Sequence, residues 1–385
     1  MVKICPICKS KDYEVLTPLC SNMKILGEHF KNEPANIVCC KDCGLVFLDI
    51  NESQEAFNKH YDSEYAHTPS YDELYPPEVT QQYFDDWYNE IKDYVDKDSY
   101  ILDVGGGLGH FLAYLQEKGF KNVYLLDISK SAIKSANEKG VNTILSDIIN
   151  IDEKYFNKFD LVMMSNSFEH FYNIADAITQ AKKLMKDDGF LYFELPDADT
   201  YCETKNSPFM LFTLEHLYHF NLDTMQNLAN VFGFEIVDKK QTLKCGGFNI
   251  LRTVFKKSNS VKPYRYCSSC RDAIIKYKEF SAASLNVIDK YRQSQEPLIL
   301  WGIGASTVLV LNENFNNCNV IQLIDRNKAR QGLQYKINSK TYTIEDPSAI
   351  TNKDATIVVM PFWYRASIIK TIQSFGLQNK IETLM

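Results

Sequence analysis

Three groups of residues in this chain have the types and the spacing to do chemistry. The first is Asp103-Val-Gly105-Gly106-Gly107-Leu-Gly109, between the apolar run Tyr100-Ile-Leu and the amphipathic segment Phe111-Leu-Ala-Tyr-Leu115. That order is a strand, a glycine turn and a helix, and the missing Cβ atoms let a ribose and its neighbouring groups lie against bare backbone. Asp127, followed by Ile128, ends the next apolar run, where an acid can accept ribose hydroxyls. Asp147 follows Ile144-Leu-Ser, and Ser165 and Asn166 follow Leu161-Val-Met-Met. The second group is Cys5-Pro-Ile-Cys8 with Cys40-Lys-Asp-Cys43. Each pair presents two thiolates from one turn, so the two pairs predict a four-sulfur zinc site with no open position, structural rather than catalytic. The third is a concentration of histidine: Glu169-His170 and Glu215-His216-Leu-Tyr-His219 hold three of the chain's seven histidines. Imidazole is suited to proton transfer near neutral pH, which makes His216 the first catalytic candidate, His170 the second and His219 the third. Adjacent Glu and His side chains point apart on a helix, so Glu215 and His216 serve separate roles unless they lie in a loop.

Around these groups the pattern alternates. Strands are predicted at 100–104, 123–127, 143–146, 159–164 and 190–195, with helices near 109–118, 129–138 and 174–186 between them. Such alternation predicts a parallel sheet with helices on both faces. Asn221 is placed to cap a helix over 222–232, followed by strands near 234–238 and 248–255. Lys256–Pro263 reads as a polar linker and 264–295 as a long helical segment. A second strand–turn–helix start follows at Leu298-Ile-Leu-Trp-Gly302-Ile-Gly304-Ala-Ser306. Later strands are expected to end at Asp325 and at Met360. Cys267-Ser-Ser-Cys270 has no second pair and reads as idle or buried thiols, with Cys20 and Cys39 as bystanders.

The chain has 385 residues, 45% of them hydrophobic, enough for two or three real cores. Its net charge of −7 argues against broad nucleic-acid binding, which needs a basic face, but permits a small anionic ligand in a local basic pocket. The 23 Tyr and 23 Phe residues suit pockets that hold rings. The opening Met-Val-Lys-Ile-Cys does not read as a signal peptide, and the longest apolar stretch, Leu298 to Leu311, is short and glycine-interrupted. The expectation is a cytoplasmic protein with no membrane partner, in which the 11 cysteines serve metal or remain thiols. Oligomeric state stays open between monomer and homodimer.

The Asp103–Gly109 spacing resembles motif I of the class I S-adenosylmethionine (SAM) methyltransferases. That resemblance implies SAM as cofactor, held by Asp103, Gly105, Gly106, Gly107, Gly109, Asp127, Ile128, Asp147, Ser165 and Asn166. Asp127 would take the ribose, Asp147 the adenine amino group, and Ser165 and Asn166 the methionine end. Over nearly its whole length the chain resembles the three-domain sugar C-methyltransferases of nucleotide-deoxysugar pathways. The motifs are the knuckle Cys40-x-x-Cys43-Gly-Leu-Val-Phe, Tyr61-Asp-Ser-Glu-Tyr65, the SAM turn and Glu215-His216-Leu-Tyr-His-Phe. Gly302-Ile-Gly304-Ala305-Ser306, Asp325 and Pro361-Phe-Trp-Tyr364 complete the series. The resemblance implies an α/β architecture: a zinc-binding domain over 1–75, a Rossmann-like class I methyltransferase core over 76–257, and a Rossmann-like C-terminal substrate domain over 258–385. It implies zinc on Cys5, Cys8, Cys40 and Cys43 and a nucleotide-linked keto sugar as substrate. His216 would remove the proton beside the ketone, with Glu215, His170 and Tyr65 orienting the sugar, and the enolate carbon would take the methyl group. Thr213 stands where the family has a tyrosine, Glu169 where a small residue is usual, and Thr307 opens a stretch without the family's lysine and glycine.

Other readings remain at this stage. An O- or N-methyltransferase would need a base but no enolate. An oxidoreductase would use Gly302–Ser306 and Asp325 to hold NAD, although Thr307 spoils the fingerprint. A zinc adaptor binding RNA or protein would sit poorly with the acidic balance.

Overall fold

The computed structural model describes residues 4–384 apart from 21–22, 27–28, 32, 65–76, 204–207, 246–247, 305–306, 329, 338 and 362–364. Tyr65, Ala305, Ser306 and the aromatic run 362–364 therefore lie outside the described residues. The described chain builds three sheets, and the architecture is mixed α/β.

The central sheet has seven strands in the order Phe234–Cys245, Phe248–Lys257, Met185–Pro196, Phe159–Ser165, Tyr100–Val104, Asn122–Asp127 and Asn142–Leu145. The last five are parallel, and the edge hairpin joins them antiparallel. Helices His110–Glu117, Lys130–Glu138 and Ile174–Leu184 make the crossovers. The middle strands read as unbroken apolar runs because both faces are covered: Ile101, Leu102, Leu161, Val162, Met163 and Met164 are fully buried. Strand order reverses between Tyr100–Val104 and Phe159–Ser165, which opens a crevice at their carboxyl ends. Ser129 caps Lys130–Glu138, and Asn221 with Thr224 forms a capping box on Leu222–Phe232, which ends at left-handed Gly233.

The N-terminal sheet is antiparallel: Tyr13–Cys20, Ala35–Cys40 and Val46–Asp49, completed by Tyr218–His219. The sequence reading missed these strands, whose residues alternate poorly and sit among cysteines. Their consequence is direct. The two residues after Glu215-His216-Leu217 belong to this sheet, and Leu48 N–H donates to Leu217 O at 2.9 Å. Gly44, at φ +80°, lies so close to the Cys267 carbonyl that a Cβ would sit 1.9 Å from its oxygen.

The third sheet runs Gln334–Ile337, Lys340–Glu345, Val320–Ile324, Leu298–Trp301, Thr356–Val359, Ile381–Thr383. All but its edge hairpin is parallel. That hairpin was not foreseen, because Gln, Lys and Thr dominate it and only one side is buried. The expected helix over 264–295 is corrected to Ser269–Ala283, a 3-10 turn Asn286–Ile288 and Asp289–Ser294. Leu285, Ile288 and Tyr291, in and around the break, are buried in the core. Among the described residues no helix is long and apolar enough to cross a membrane.

Candidate functional site

The carboxyl ends of the parallel strands in the central and third sheets face one another across a cavity of about 770 Å³. One wall comes from the core: Gly105, Asp127, Ile128, Asp147, Asn166 and His170. The opposite wall comes from the third sheet: Trp301, Gly302, Gly304, Asp325, Arg326, Lys328 and Arg330. Helix Gln54–Glu64 closes a third side with Asn58 and Tyr61.

The glycine turn is packed from below. A Cβ on Gly106 would lie 2.3 Å from Asp103 Oδ2 and 3.0 Å from Leu125 Cδ1, so only glycine lets the turn close over the acid. Asp103, Gly106, Gly107, Gly109 and Ser165 do not line the cavity, whereas Gly105 does. Burial pushes the Asp103 carboxyl up to about 7, with the negative charges of Asp127 and Glu194 adding to it. Asp127 is different. Its Oδ1 accepts from Ser129 N–H at 2.8 Å, while Oδ2 is buried with no hydrogen-bond partner among the described residues. Burial raises this carboxyl to about 6, against the opposing pull of backbone N–H groups of Ser129, Gly107 and Ile128. Asp147 accepts from Asn150 N–H at 2.8 Å and from the Asn58 amide at 3.3 Å.

Asn166 stands at φ +48° directly after its strand, and its Nδ2 donates to Glu194 Oε1 at 3.0 Å. Glu194 is fully buried, and it also accepts from Trp87 Nε1 and from Arg252 Nε at 2.8 Å. Sequence reasoning missed Glu194, although an acid ending the apolar strand 190–195 was a usable signal.

Glu215 and His216 lie in a turn rather than a helix, so the two side chains are free of helical spacing. Glu215 Oε1 meets His60 Nε2 at 2.9 Å. Burial alone would raise this carboxyl, but the His60 hydrogen bond and the charges of His60, His170 and Arg330 hold it at about 2. His170 Nδ1 meets the Tyr61 hydroxyl at 3.0 Å, and its ring stands edge-on to His216 with centroids 5.0 Å apart. Burial depresses both imidazoles, His216 the more strongly. His216 does not itself line the cavity; His170 and Glu215 do. His219 faces Tyr201 instead, at 3.2 Å. His60, Asn58 and Arg330 were not singled out in the sequence, because nothing in the spacing marks them.

On the far wall, Arg330 lies against Gly304, whose added Cβ would meet the guanidinium at 2.6 Å. Asp325 accepts from Asn327 N–H at 2.7 Å and lies 3.6 Å from Arg330. Arg326, Lys328 and Arg330 make this the basic side of the cavity.

Away from the cavity, Sγ atoms of Cys5, Cys8, Cys40 and Cys43 lie within 4.8 Å of one another, with Cys5–Cys43 at 3.5 Å and Cys8–Cys40 at 3.4 Å. A zinc tetrahedron with bonds of about 2.3 Å has sulfur edges of about 3.8 Å, so the four thiols fit that ion. Mutual hydrogen bonds among these close thiols lower that of Cys40 and raise that of Cys43, and Cys5 and Cys8 are raised as well. Cys267 and Cys270 are not joined: Cys270 is buried, and Cys267 points to Asp223.

Residues 78–239 match the family described as a methyltransferase domain. This part of the chain is a methyltransferase domain. The Danio rerio protein arginine N-methyltransferase 8-B is 26% identical over 220 residues, covering 53% of this chain and 51% of that protein. The Homo sapiens mitochondrial arginine-hydroxylase NDUFAF5 is 28% identical over 110 residues, covering 28% of this chain and 31% of that one. The chain thus spans about half the length of the first relative and about a third of the second. Among solved structures, the Burkholderia thailandensis 1,6-didemethyltoxoflavin-N1-methyltransferase, bound to its namesake ligand and S-adenosylhomocysteine, aligns with a TM-score of 0.41 and 14% identity. That alignment covers 57% of this chain and 97% of that one. An Archaeoglobus fulgidus SAM-dependent methyltransferase aligns at 0.39 and 19%, covering 49% and 100%.

Proposed function

We propose that this chain is a SAM-dependent methyltransferase that transfers a methyl group to carbon of a nucleotide-linked keto-deoxysugar. The observation that carries the SAM reading is Asp127 Oδ2, buried and without a hydrogen-bond partner, at the end of the second parallel strand of a methyltransferase domain. A carboxylate oxygen there takes a ribose hydroxyl, while Ile128 and Asp147 meet the base and Gly105 and Asn166 the amino-acid end, with Asp103 acting only through the glycine turn that closes over it. The bound sulfonium supplies an electrophilic methyl group.

The acceptor reading rests on the opposite wall and on the family resemblance. Arg326, Lys328 and Arg330 suit a diphosphate, and guanidinium–phosphate pairs fix orientation as well as charge. With the phosphates held there, the sugar reaches His170 and Glu215, and His216 stands edge-on to His170. A depressed imidazole is neutral at physiological pH, so its lone pair is open, although the same depression makes it a weaker base; the assignment of His216 as the base beside the ketone rests on the family resemblance. His60 holds Glu215 ionised, and Tyr61 holds His170; both then orient the sugar, with Tyr65 assigned the same role. Positioning of two bound reactants contributes roughly 7–11 kcal/mol, more than a base supplies. Zinc on Cys5, Cys8, Cys40 and Cys43 holds the N-terminal sheet. The domains we assign are 1–75, 76–257 and 258–385.

The test is turnover of a panel of nucleotide-linked keto and amino sugars in deuterated water, with products read by NMR. A new carbon-bound methyl with deuterium beside the ketone is expected. A methyl on oxygen or nitrogen without ring deuterium refutes the carbon assignment.

A further inference from the structure

We propose that Glu169, His170 and His216 form a binding site for one divalent cation of the first transition series, separate from the four-cysteine centre. One ligating atom from each of the three lies within 4.8 Å of the others. Glu169 is 1% exposed, and both its carboxylate oxygens are buried with no hydrogen-bond partner among the described residues. His216 Nδ1 is likewise buried and unpartnered. His170 Nε2 lies 3.7 Å from Glu169 Oε1. A dehydrated carboxylate facing two imidazoles, with nothing satisfying either oxygen, is costly unless a proton neutralises it or a cation binds between the three groups.

The backbone holds this group in place. Glu169 and His170 share the turn Phe168–His170, and Glu169 O accepts from Leu217 N–H at 2.8 Å, tying that turn to the one bearing His216. The Tyr61 hydroxyl engages His170 Nδ1 at 3.0 Å, which leaves Nε2 as the ligating nitrogen. Such an outer hydrogen bond is the usual means of fixing a metal-binding imidazole. Three atoms 4.8 Å apart have their centre about 2.8 Å from each, against metal bonds of about 2.0–2.2 Å. Side-chain torsions must close the remaining fraction of an ångström. Two imidazoles and one carboxylate select Zn²⁺, Co²⁺ or Fe²⁺ over Mg²⁺ or Ca²⁺, which want oxygen. Three protein ligands leave a coordination position open, and His170 lies on the cavity wall, which provides the way in.

This inference goes beyond the methyltransferase reading, and its test needs neither SAM nor an acceptor. It does bear on that reading: ligation uses the lone pair of His216, so loading withdraws the base, and the second cation should inhibit carbon methylation.

The experiment takes full-length protein with zinc already in the cysteine centre and adds Co²⁺, following metal stoichiometry and the visible spectrum. One added equivalent with weak visible bands and no thiolate charge-transfer band is expected. Loss of a direct ligand should cost at least the roughly 100-fold that losing an outer-shell partner can cost, so E169Q should leave most of that equivalent unbound at Co²⁺ about 10-fold above the wild-type Kd, as should H216A. Melting temperature serves as the fold control. If E169Q does not fold, histidine ¹⁵N shifts of the wild-type protein during Zn²⁺ titration decide instead, and those of His170 and His216 must move together. Absence of a second equivalent in the wild-type protein, its retention in E169Q, or unmoved His170 and His216 shifts overturns the proposal.

Discussion

Replacing Asp127 by asparagine should weaken SAM binding by about 10- to 150-fold. The figure follows from how many carboxylate lone pairs are free. Oδ1 already accepts from Ser129 N–H at 2.8 Å, so only Oδ2 remains for a ribose hydroxyl. One hydrogen bond to a charged group is worth about 1.5–3 kcal/mol, and about 1.4 kcal/mol is tenfold in affinity. Asparagine can keep the Ser129 bond only by turning Nδ2, a donor, toward the ribose. The same residue sets a pH dependence. Its carboxyl titrates at about 6 in the free protein, raised by burial. Ribose hydroxyls favour the ionised form, so the bound pKa is lower than the free one. Affinity should therefore be flat above about pH 7 and fall as pH drops through 6, with proton release on binding in that window. Calorimetry at several pH values, in two buffers of different ionisation enthalpy, reads both affinity and proton count. The reasoning fails if the Asp127→Asn variant binds within twofold of wild type, or if wild-type affinity stays level down to pH 5.

Other outcomes follow from the same contacts. Cys40→Ser should remove zinc from the N-terminal sheet and release the strand Tyr218–His219, so hydrogen exchange should quicken over 13–49 and 213–220. Because Leu217 N–H bonds to Glu169 O, turnover should fall further than SAM affinity in that variant. Gly44→Ala should destabilise the protein by about 2–4 kcal/mol, from backbone strain plus overlap with the Cys267 carbonyl, and differential scanning calorimetry should show the melting point falling several degrees. Arg330→Ala should raise the acceptor KM by about 10- to 100-fold, the loss of a charge-assisted phosphate contact. SAM affinity should be unchanged in that variant, and steady-state kinetics with calorimetry would separate the two.

Much of this molecule was legible one residue at a time. Apolar runs ending at Asp103 and Asp127 marked two strands in the middle of the parallel sheet, because a strand covered on both faces must be apolar throughout. Asn221 marked the helix Leu222–Phe232 through its capping chemistry, and that helix runs as expected. Paired cysteines predicted a four-thiol cluster because a tight turn needs no distant information. What spacing could not reveal is which distant side chains meet. The pairing of His60 with Glu215 spans 155 positions and depends on helix Gln54–Glu64 lying over the cavity. The second basic wall exists only because two sheets present their carboxyl ends to each other. The turn bearing Glu215 and His216 is held by a strand pairing with the N-terminal sheet, formed by residues with no periodic signal of their own. Local rules of turn, cap and strand thus determined the elements and the glycine turn. Long-range packing alone decided that a lone carboxylate, two imidazoles and a row of cations share one cavity region, since dehydration and charge pairing arise only when separate segments close on one another.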